Sequence, residues 1–181
     1  MKKLLTIMVL GLLFSGNAYA VQNWEIKKVL DNKYIEISTQ GLKTIGKFKL
    51  LIKVDGECNT VEDGFTVYTT KSKVTLLPGK KIKIKSMGST LVSEIVATSP
   101  VIQNNNIHVV WISNGVYELK GHTKWLSESE KNNVKLLVVY DDFKKRTGWE
   151  AKDFFDIPEN TWSLKNVSEA VKQGRKMCLG N

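Results

Sequence analysis

The stretch from Ile107 to Lys120, IHVVWISNGVYELK, carries the strongest local fold signal in the chain. Its Asn114-Gly115 dipeptide is typical of a two-residue type I′ turn, because both residues tolerate the positive φ that this turn requires. One face of the resulting pair of strands is wholly apolar and is formed by Val110, Ile112, Tyr117 and Leu119. We therefore predict an antiparallel β-hairpin that packs one face on a hydrophobic core.

Other segments show the two-residue alternation of half-buried strands. Lys47 to Val54 alternates lysines with apolar residues, and Trp24 to Ser38 has the pattern of a hairpin around Asp31-Asn32. Lys81 to Lys85 alternates lysine with isoleucine after a Pro78-Gly79 pair, which is typical of a type II turn. Further strands are predicted at Phe65 to Thr70, Lys73 to Leu77, Ser89 to Ile102 and Val134 to Tyr140.

The C-terminal part of the chain changes to helical spacing. From Leu164 to Cys178 apolar residues recur every three or four positions, and Asn166 with Glu169 has the spacing of a capping box. The predicted fold is all-β: a mainly antiparallel β-sandwich, of which the immunoglobulin-like sandwich is one form, closed by a C-terminal helix over about residues 164–178. An α+β fold is the alternative.

The first twenty residues have the three parts of a secretory signal peptide. Lys2 and Lys3 form a basic region, Leu4 to Phe14 an apolar region, and Ala18-Tyr19-Ala20 a small-residue cleavage site. We predict removal of residues 1–20, which leaves residues 21–181 as a single β-rich domain. No later apolar run reaches the roughly 20 residues of a membrane span. The style of the signal indicates a bacterial protein, periplasmic or secreted, with no transmembrane segment in the mature chain.

Two cysteines remain in the predicted mature chain, Cys58 and Cys178. In the oxidising compartment that the signal peptide indicates, a disulfide between them is the default expectation. Their wide separation differs from the Cys-x-x-Cys spacing of redox-active pairs. The sequence therefore predicts a structural bond that fastens the C-terminal helix to the sheet.

The formal net charge is +9, and loss of Lys2 and Lys3 lowers it to +7. Nearly all of the positive charge is lysine, since Arg146 and Arg175 are the only arginines. Arginine is the side chain that binds phosphate in a bidentate geometry, so this composition disfavours specific nucleic-acid recognition. It leaves a salt-sensitive attraction to anionic surfaces such as outer-membrane polysaccharide. A nucleotide bias of the genome would produce the same composition.

Four residues form the candidate ligand surface: Trp111, Lys81, Lys83 and Lys85. The predicted hairpin register places Trp111 on the mixed face, where an indole ring can stack on a sugar, although aromatic rings also cover cores. Lysine stripes on strands also prevent edge-to-edge pairing with other chains, so both roles stay open for the three lysines.

The sequence shows no complete catalytic or metal-binding motif. In the predicted hairpin register, His108 and His122 project from opposite sides, so they cannot bind one metal ion together. The acidic segment Asp55 to Gly64 has alternating oxygen ligands, but Thr60 stands where an EF-hand needs glycine. No metal or cofactor is predicted.

These observations favour an exported, non-catalytic envelope protein that acts as a binding or assembly module. Its predicted partner is an envelope protein or an anionic polysaccharide surface. The alternative is a hydrolase or carbohydrate-active enzyme that uses two of four carboxylates: Glu62, Asp63, Asp141 and Asp142. That alternative requires two carboxylates about 5 to 10 Å apart across a tryptophan-lined cleft.

Overall fold

A computed structural model of the chain describes residues 19–21, 23–86, 89–101, 104–130, 133–139, 150–157 and 159–180. These residues form ten strands: β1 (Tyr19–Val21), β2 (Trp24–Val29), β3 (Tyr34–Gln40), β4 (Lys47–Lys53), β5 (Thr60–Thr69), β6 (Lys81–Ser86), β7 (Ser89–Val101), β8 (Asn104–Glu118), β9 (Asn133–Val139) and β10 (Asn160–Ser163). The helices are α1 (Leu119–Glu128) and α2 (Val167–Leu179), with short 3₁₀ helices at Ser72–Leu76 and Ala151–Asp153.

All ten strands belong to one hydrogen-bonded sheet in the order β1-β2-β3-β4-β5-β8-β7-β6-β9-β10. Every neighbouring pair in this order is antiparallel. The predicted fold class, mainly antiparallel β with a C-terminal helix, is confirmed.

The sheet folds over so that its end and its middle share one core. The Trp162 ring of β10 lies 6.4 Å from the Phe48 ring of β4 and 5.7 Å from the Phe65 ring of β5, measured between ring centroids. The indole N–H of Trp162 donates to the Gly46 carbonyl at 2.9 Å. Because this indole has a hydrogen-bond partner, the ring can be almost fully buried, and it closes the sandwich-like core.

Several sequence predictions hold strand by strand. β4 buries every second residue, as the alternation over Lys47 to Val54 requires. β2 and β3 form the predicted hairpin, and Leu30, Asp31 and Asn32 between them all have positive φ. The Pro78-Gly79 turn is also present, because Gly79 has φ +77° and the Lys80 N–H donates to the Leu77 carbonyl.

The prediction of a hairpin turn at Asn114-Gly115 is wrong. β8 runs straight through this dipeptide, and both sides of it pair with β5: Ser113 with Gly64, and Gly115 with Asp63. Asn114 is the extra residue of a β-bulge, and its side-chain oxygen accepts a hydrogen bond from the Ser93 hydroxyl at 2.8 Å. The permissive dipeptide thus accommodates a bulge, because β5 offers a continuous partner on one side.

Two more segments differ from the predicted strands. Ser72–Leu76 is a 3₁₀ helix where a strand was predicted at Lys73 to Leu77. The chain after β8 turns into helix α1, although the predicted second strand of the hairpin ran to Lys120. The Glu118 side chain caps α1 by accepting the Gly121 N–H, and Leu119 and Leu126 bury the inner side of the helix.

Helix α2 is the predicted C-terminal helix, and it packs closely on the sheet. Its buried residues are Val167, Ala170, Val171 and Gly174. A Cβ atom at Gly174 would lie 2.5 Å from Cδ1 of Ile37, which is fully buried in β3. The glycine therefore lets the helix backbone approach the sheet more closely than any other residue would.

The predicted disulfide between Cys58 and Cys178 is present, with a Cα–Cα distance of 6.2 Å. It joins the last turn of α2 to the loop before β5 and closes a loop with a sequence separation of 120. The chain-entropy treatment assigns about 4 to 5 kcal/mol of stabilisation to a loop of this size.

Some predictions concern residues outside the described ranges. These are most of the signal peptide, Asp141, Asp142 and Arg146. Cleavage after Ala20 stays a prediction, and it would remove two of the three residues of β1.

The close helix contact gives a first prediction. Gly174→Ala gains about 1 kcal/mol of helix propensity, but overpacking a full core typically costs roughly 1 to 3 kcal/mol. We expect a net loss of stability in urea unfolding. Ile37→Val removes the Cδ1 atom, so it should restore part of the loss in the double variant relative to Ile37→Val alone. A Gly174→Ala protein as stable as wild type would contradict the packing described here.

Candidate functional site

Trp111 and the lysines of β6 lie on the same outer face of the sheet. Trp111 is half-buried, and the residues on either side of it in β8 are fully buried in the core. Alternation likewise places Lys81 and Lys83 on the outer face of β6. The Lys49 ammonium lies 5.9 Å from the Trp111 ring centroid, within the range of a cation–π interaction. The Trp111 ring thus already has a cationic neighbour within the chain, Lys49.

The strand register separates Trp111 from the lysine stripe. Trp111 pairs with Ala97 of β7, whereas Lys83 pairs with Val92, five residues further along the same strand. At about 3.3 Å per residue, this offset is roughly 15 to 17 Å along β7. Lys85 pairs with Thr90 and therefore lies further away still. Lys81 pairs with Glu94, three residues from Ala97, so it is the lysine nearest to Trp111 along β7, and the other two lie progressively further away.

A network of ion pairs covers the outer face of β2, β3 and β4. Glu25 contacts the ammonium groups of Lys27 at 2.8 Å and Lys47 at 2.6 Å. Glu36, which is almost fully buried, contacts Lys49 at 2.7 Å. Hydrogen bonds from Lys27 and then Lys47 lower the pKa of Glu25 to about 2. These lysines neutralise carboxylates of the same sheet, so this face is stabilised within the chain.

A second cluster combines a histidine, a carboxylate and two aromatic rings where α1 meets the sheet. His122 Nε2 lies 2.8 Å from Asp63 Oδ2, and both side chains are buried. The contact is close, but it is not a directed hydrogen bond. The His122 ring is stacked between Tyr117, at 4.4 Å, and Trp125, at 5.5 Å. Burial, with the nearby Asp63 carboxylate, raises the pKa of Tyr117.

This cluster holds α1 on the sheet. The Tyr117 hydroxyl donates to the Asn114 carbonyl at 2.9 Å, so its proton is already used at the bulge. The sequence prediction missed the cluster because it placed His122 beyond a hairpin strand, whereas His122 lies on a helix that covers Asp63. The apolar spacing of Leu119 and Leu126, seven residues apart, was the available signal for that helix.

Of the four candidate carboxylates of the enzyme alternative, the structure describes two, Glu62 and Asp63. Glu62 and Asp63 are neighbours in β5, so their side chains project to opposite faces of the sheet. Asp63 faces the core and contacts His122, while Glu62 faces outward. These two carboxylates cannot flank one bond, and Asp141 and Asp142 lie outside the described residues.

A groove between α1 and α2 is the strongest candidate for a functional site. Its volume is about 710 Å³, within the range of roughly 300 to 1,000 Å³ that small-molecule sites occupy. Among the described residues, the cationic lining residues are Lys120, Lys124, Lys172, Arg175 and Lys176, and Glu118 is the one carboxylate. These five cations outnumber Glu118 and the Glu169 carboxylate, which lies 3.9 Å from the Lys172 ammonium, so the groove has an excess of positive charge.

The two helices arrange these cations in rows. Lys120 and Lys124 are four residues apart on α1, as are Lys172 and Lys176 on α2, so each pair shares one helix face at a spacing of roughly 6 Å. The Arg175 guanidinium donates to the Asn59 side-chain oxygen at 3.2 Å, which fixes its position. Convergent cations on two facing walls are suited to binding an anion.

The groove also contains a polar atom without a partner. The Ser168 hydroxyl oxygen is buried, and it makes no hydrogen bond to any other described residue. Ser168 lines the groove in the first turn of α2. A buried hydroxyl in this situation can donate to a bound ligand.

The sequence analysis did not identify this site. It predicted the helix that carries Lys172, Arg175 and Lys176 but assigned these residues no role in binding. It did not predict α1, so the facing wall with Lys120 and Lys124 was missed.

Comparisons with known proteins give no further guidance, because no protein family model, curated protein or solved structure matches this chain. Among the described residues, no three His, Cys, Asp or Glu side chains are grouped so that they could hold a metal ion. Within the same residues, no helix combines the length and apolar character needed to cross a bilayer. Function must therefore be argued from the geometry of the groove.

The ion pairs of Glu25 predict a specific pH dependence. The folded-state pKa of about 2 lies below the usual 4.5, so the contribution of Glu25 to stability is complete above about pH 4.5 and is lost as the pH falls through 2. The stability difference between wild type and Glu25→Gln should therefore shrink as urea unfolding is repeated from pH 6 down to pH 2. A difference that stays constant over this range would contradict the assignment.

The buried cluster predicts unequal effects of two neighbouring substitutions. Asp63→Ala removes the buried carboxylate that contacts the His122 side chain at 2.8 Å, and loss of a buried polar contact costs roughly 1 to 3 kcal/mol. Glu62→Ala, on the outer face of the same strand, should change stability by about 0.5 kcal/mol or less. Urea unfolding of both variants measures the difference. Equal stabilities would show that the His122 contact does not anchor α1.

Proposed function

We propose that this protein is an exported, non-catalytic binding module of the cell envelope, and that it holds anionic ligands in the groove between α1 and α2. One observation carries the proposal: five cationic side chains, on two facing helices, line a cavity of about 710 Å³, in which the described lining residues include one carboxylate. An anion in the groove would meet positive charge from both walls, and the low-dielectric walls strengthen this attraction.

The groove is better suited to this role than the lysine stripe of β6. Lys81 and Lys83 lie on one strand of an open sheet face, where a ligand would touch only one wall. β6 pairs with β7 on one side and with β9 on the other, so its lysines do not protect a sheet edge either. In the groove, by contrast, the cations line two walls of one open cleft, so a single ligand can contact several of them.

Export is proposed from the signal peptide, and the Cys58–Cys178 bond supports it, because structural disulfides persist in oxidising compartments. The proposed location is the periplasm or the medium of a bacterial cell. The proposed partner is an anionic component of that envelope, such as a polysaccharide or a lipid. Specific nucleic-acid recognition is disfavoured, because lysine supplies four of the five cations in the groove.

Charge reversal tests this proposal. Lys172→Glu with Lys176→Glu removes two cations of the groove, and Lys81→Glu with Lys83→Glu makes the same change in net charge on β6. We expect wild type and the β6 variant to be retained on a heparin column and to elute with added salt. The groove variant should elute at markedly lower salt, because it loses the convergent charges.

Both variants must first show the unfolding midpoint of wild type, which confirms that they are folded. Loss of retention in the β6 variant alone would overturn the proposal and assign anion binding to the outer face. Equal losses in both variants would also overturn it, since retention would then follow net charge.

A further inference from the structure

We infer that the ligand of the groove is an amphipathic anion: one apolar chain carrying a phosphate-like or carboxylate head group. This inference rests on the proposed function and names the class of ligand. It depends on the floor of the groove, whereas the proposed function depends only on its charged rim.

The floor of the groove is apolar. Leu119 of α1 and Val171 of α2 line it, but only 5% and 4% of their surface is exposed, so they supply little accessible hydrocarbon themselves. Leu179, at the end of α2, adds an apolar side chain that is 43% exposed. Lysine side chains have apolar stems below their ammonium groups, so the walls are also partly apolar up to the rim.

The dimensions fit a chain rather than a compact ion. The lining residues of α2 run from Ser168 to Leu179, which spans roughly 16 Å at 1.5 Å per residue. A free phosphate would occupy a small part of the volume of about 710 Å³. A linear polyanion would bind across the cationic rims and leave the apolar floor in contact with water. An amphipathic anion covers the floor and pairs with the rim at once.

This geometry makes affinity depend on chain length. Transfer of one methylene from water to an apolar environment multiplies the binding constant by roughly four. A short alkyl chain on a phosphate should therefore increase affinity by more than tenfold over inorganic phosphate. The increase should stop when the chain becomes longer than the floor.

The experiment is calorimetric titration of the full-length mature protein, below the micelle concentration of each probe. The probes are inorganic phosphate, butyl phosphate, octyl phosphate, neutral octyl glucoside and heparin. We expect octyl phosphate to bind more than tenfold more tightly than phosphate, and more tightly than octyl glucoside. The Lys172→Glu and Lys176→Glu variant should reduce the affinity for octyl phosphate by more than tenfold.

A floor variant separates the apolar contribution from folding. Leu179→Ser shortens an exposed lining residue, and Leu76→Ser makes the same change at an exposed residue, 59% accessible, outside the groove. Only Leu179→Ser should weaken octyl phosphate, and it should leave heparin retention unchanged. Equal binding of octyl phosphate by both variants and wild type would overturn the apolar floor as a ligand contact.

The remaining outcomes distinguish the two proposals. If heparin and phosphate bind in the groove but chain length adds nothing, the ligand is a polyanion or a small anion, and the amphiphile inference fails while the proposed function stands. If octyl glucoside binds as tightly as octyl phosphate, the head-group charge has no role and the inference also fails. If no anion binds, both proposals fail.

Discussion

The close contact between α2 and the sheet is the constraint on which the rest of the structure depends. At Gly174 there is no room for a Cβ atom beside Ile37, because the helix backbone packs very closely against β3. The disulfide from Cys178 to Cys58 fixes the far end of the same helix near the start of β5. Because the close contact at Gly174 and the disulfide both hold α2, its outward side can form a wall whose position is fixed. The groove requires such a wall, because like charges repel one another and would move apart if the backbone did not hold them in place.

Sequence patterns predicted the parts of this fold that are determined locally. The alternation over β4 follows directly from one buried and one solvated face, and the stripe of small and apolar residues in α2 follows from a single buried side. The disulfide was predicted from the expected oxidising compartment and from the number of cysteines, since the sequence contains only two. None of these predictions required the order of the strands in the sheet.

The errors arose where a distant partner decides the local conformation. Asn114-Gly115 suits a tight turn, yet its conformation is set by β5, which pairs with both sides of it and leaves Asn114 as a bulge. Because the chain then continues past the bulge, α1 can form and bring His122 over Asp63. The groove was not predictable for the same reason. Its two walls are separated by 38 residues between the end of α1 at Glu128 and the start of α2 at Val167, and only the folded sheet makes them neighbours.

The position of the disulfide has a consequence for the order of maturation. Cys178 belongs to the same helix as Lys172, Arg175 and Lys176, and it lies one turn or less beyond the last two. Its partner Cys58 precedes both walls of the groove in the chain. The bond therefore forms only after α1 and α2 have both been made, and in a compartment that oxidises thiols. Covalent locking of the cationic wall is thus postponed until the chain of both helices is complete, so the bond can close only on a groove that already has its two walls.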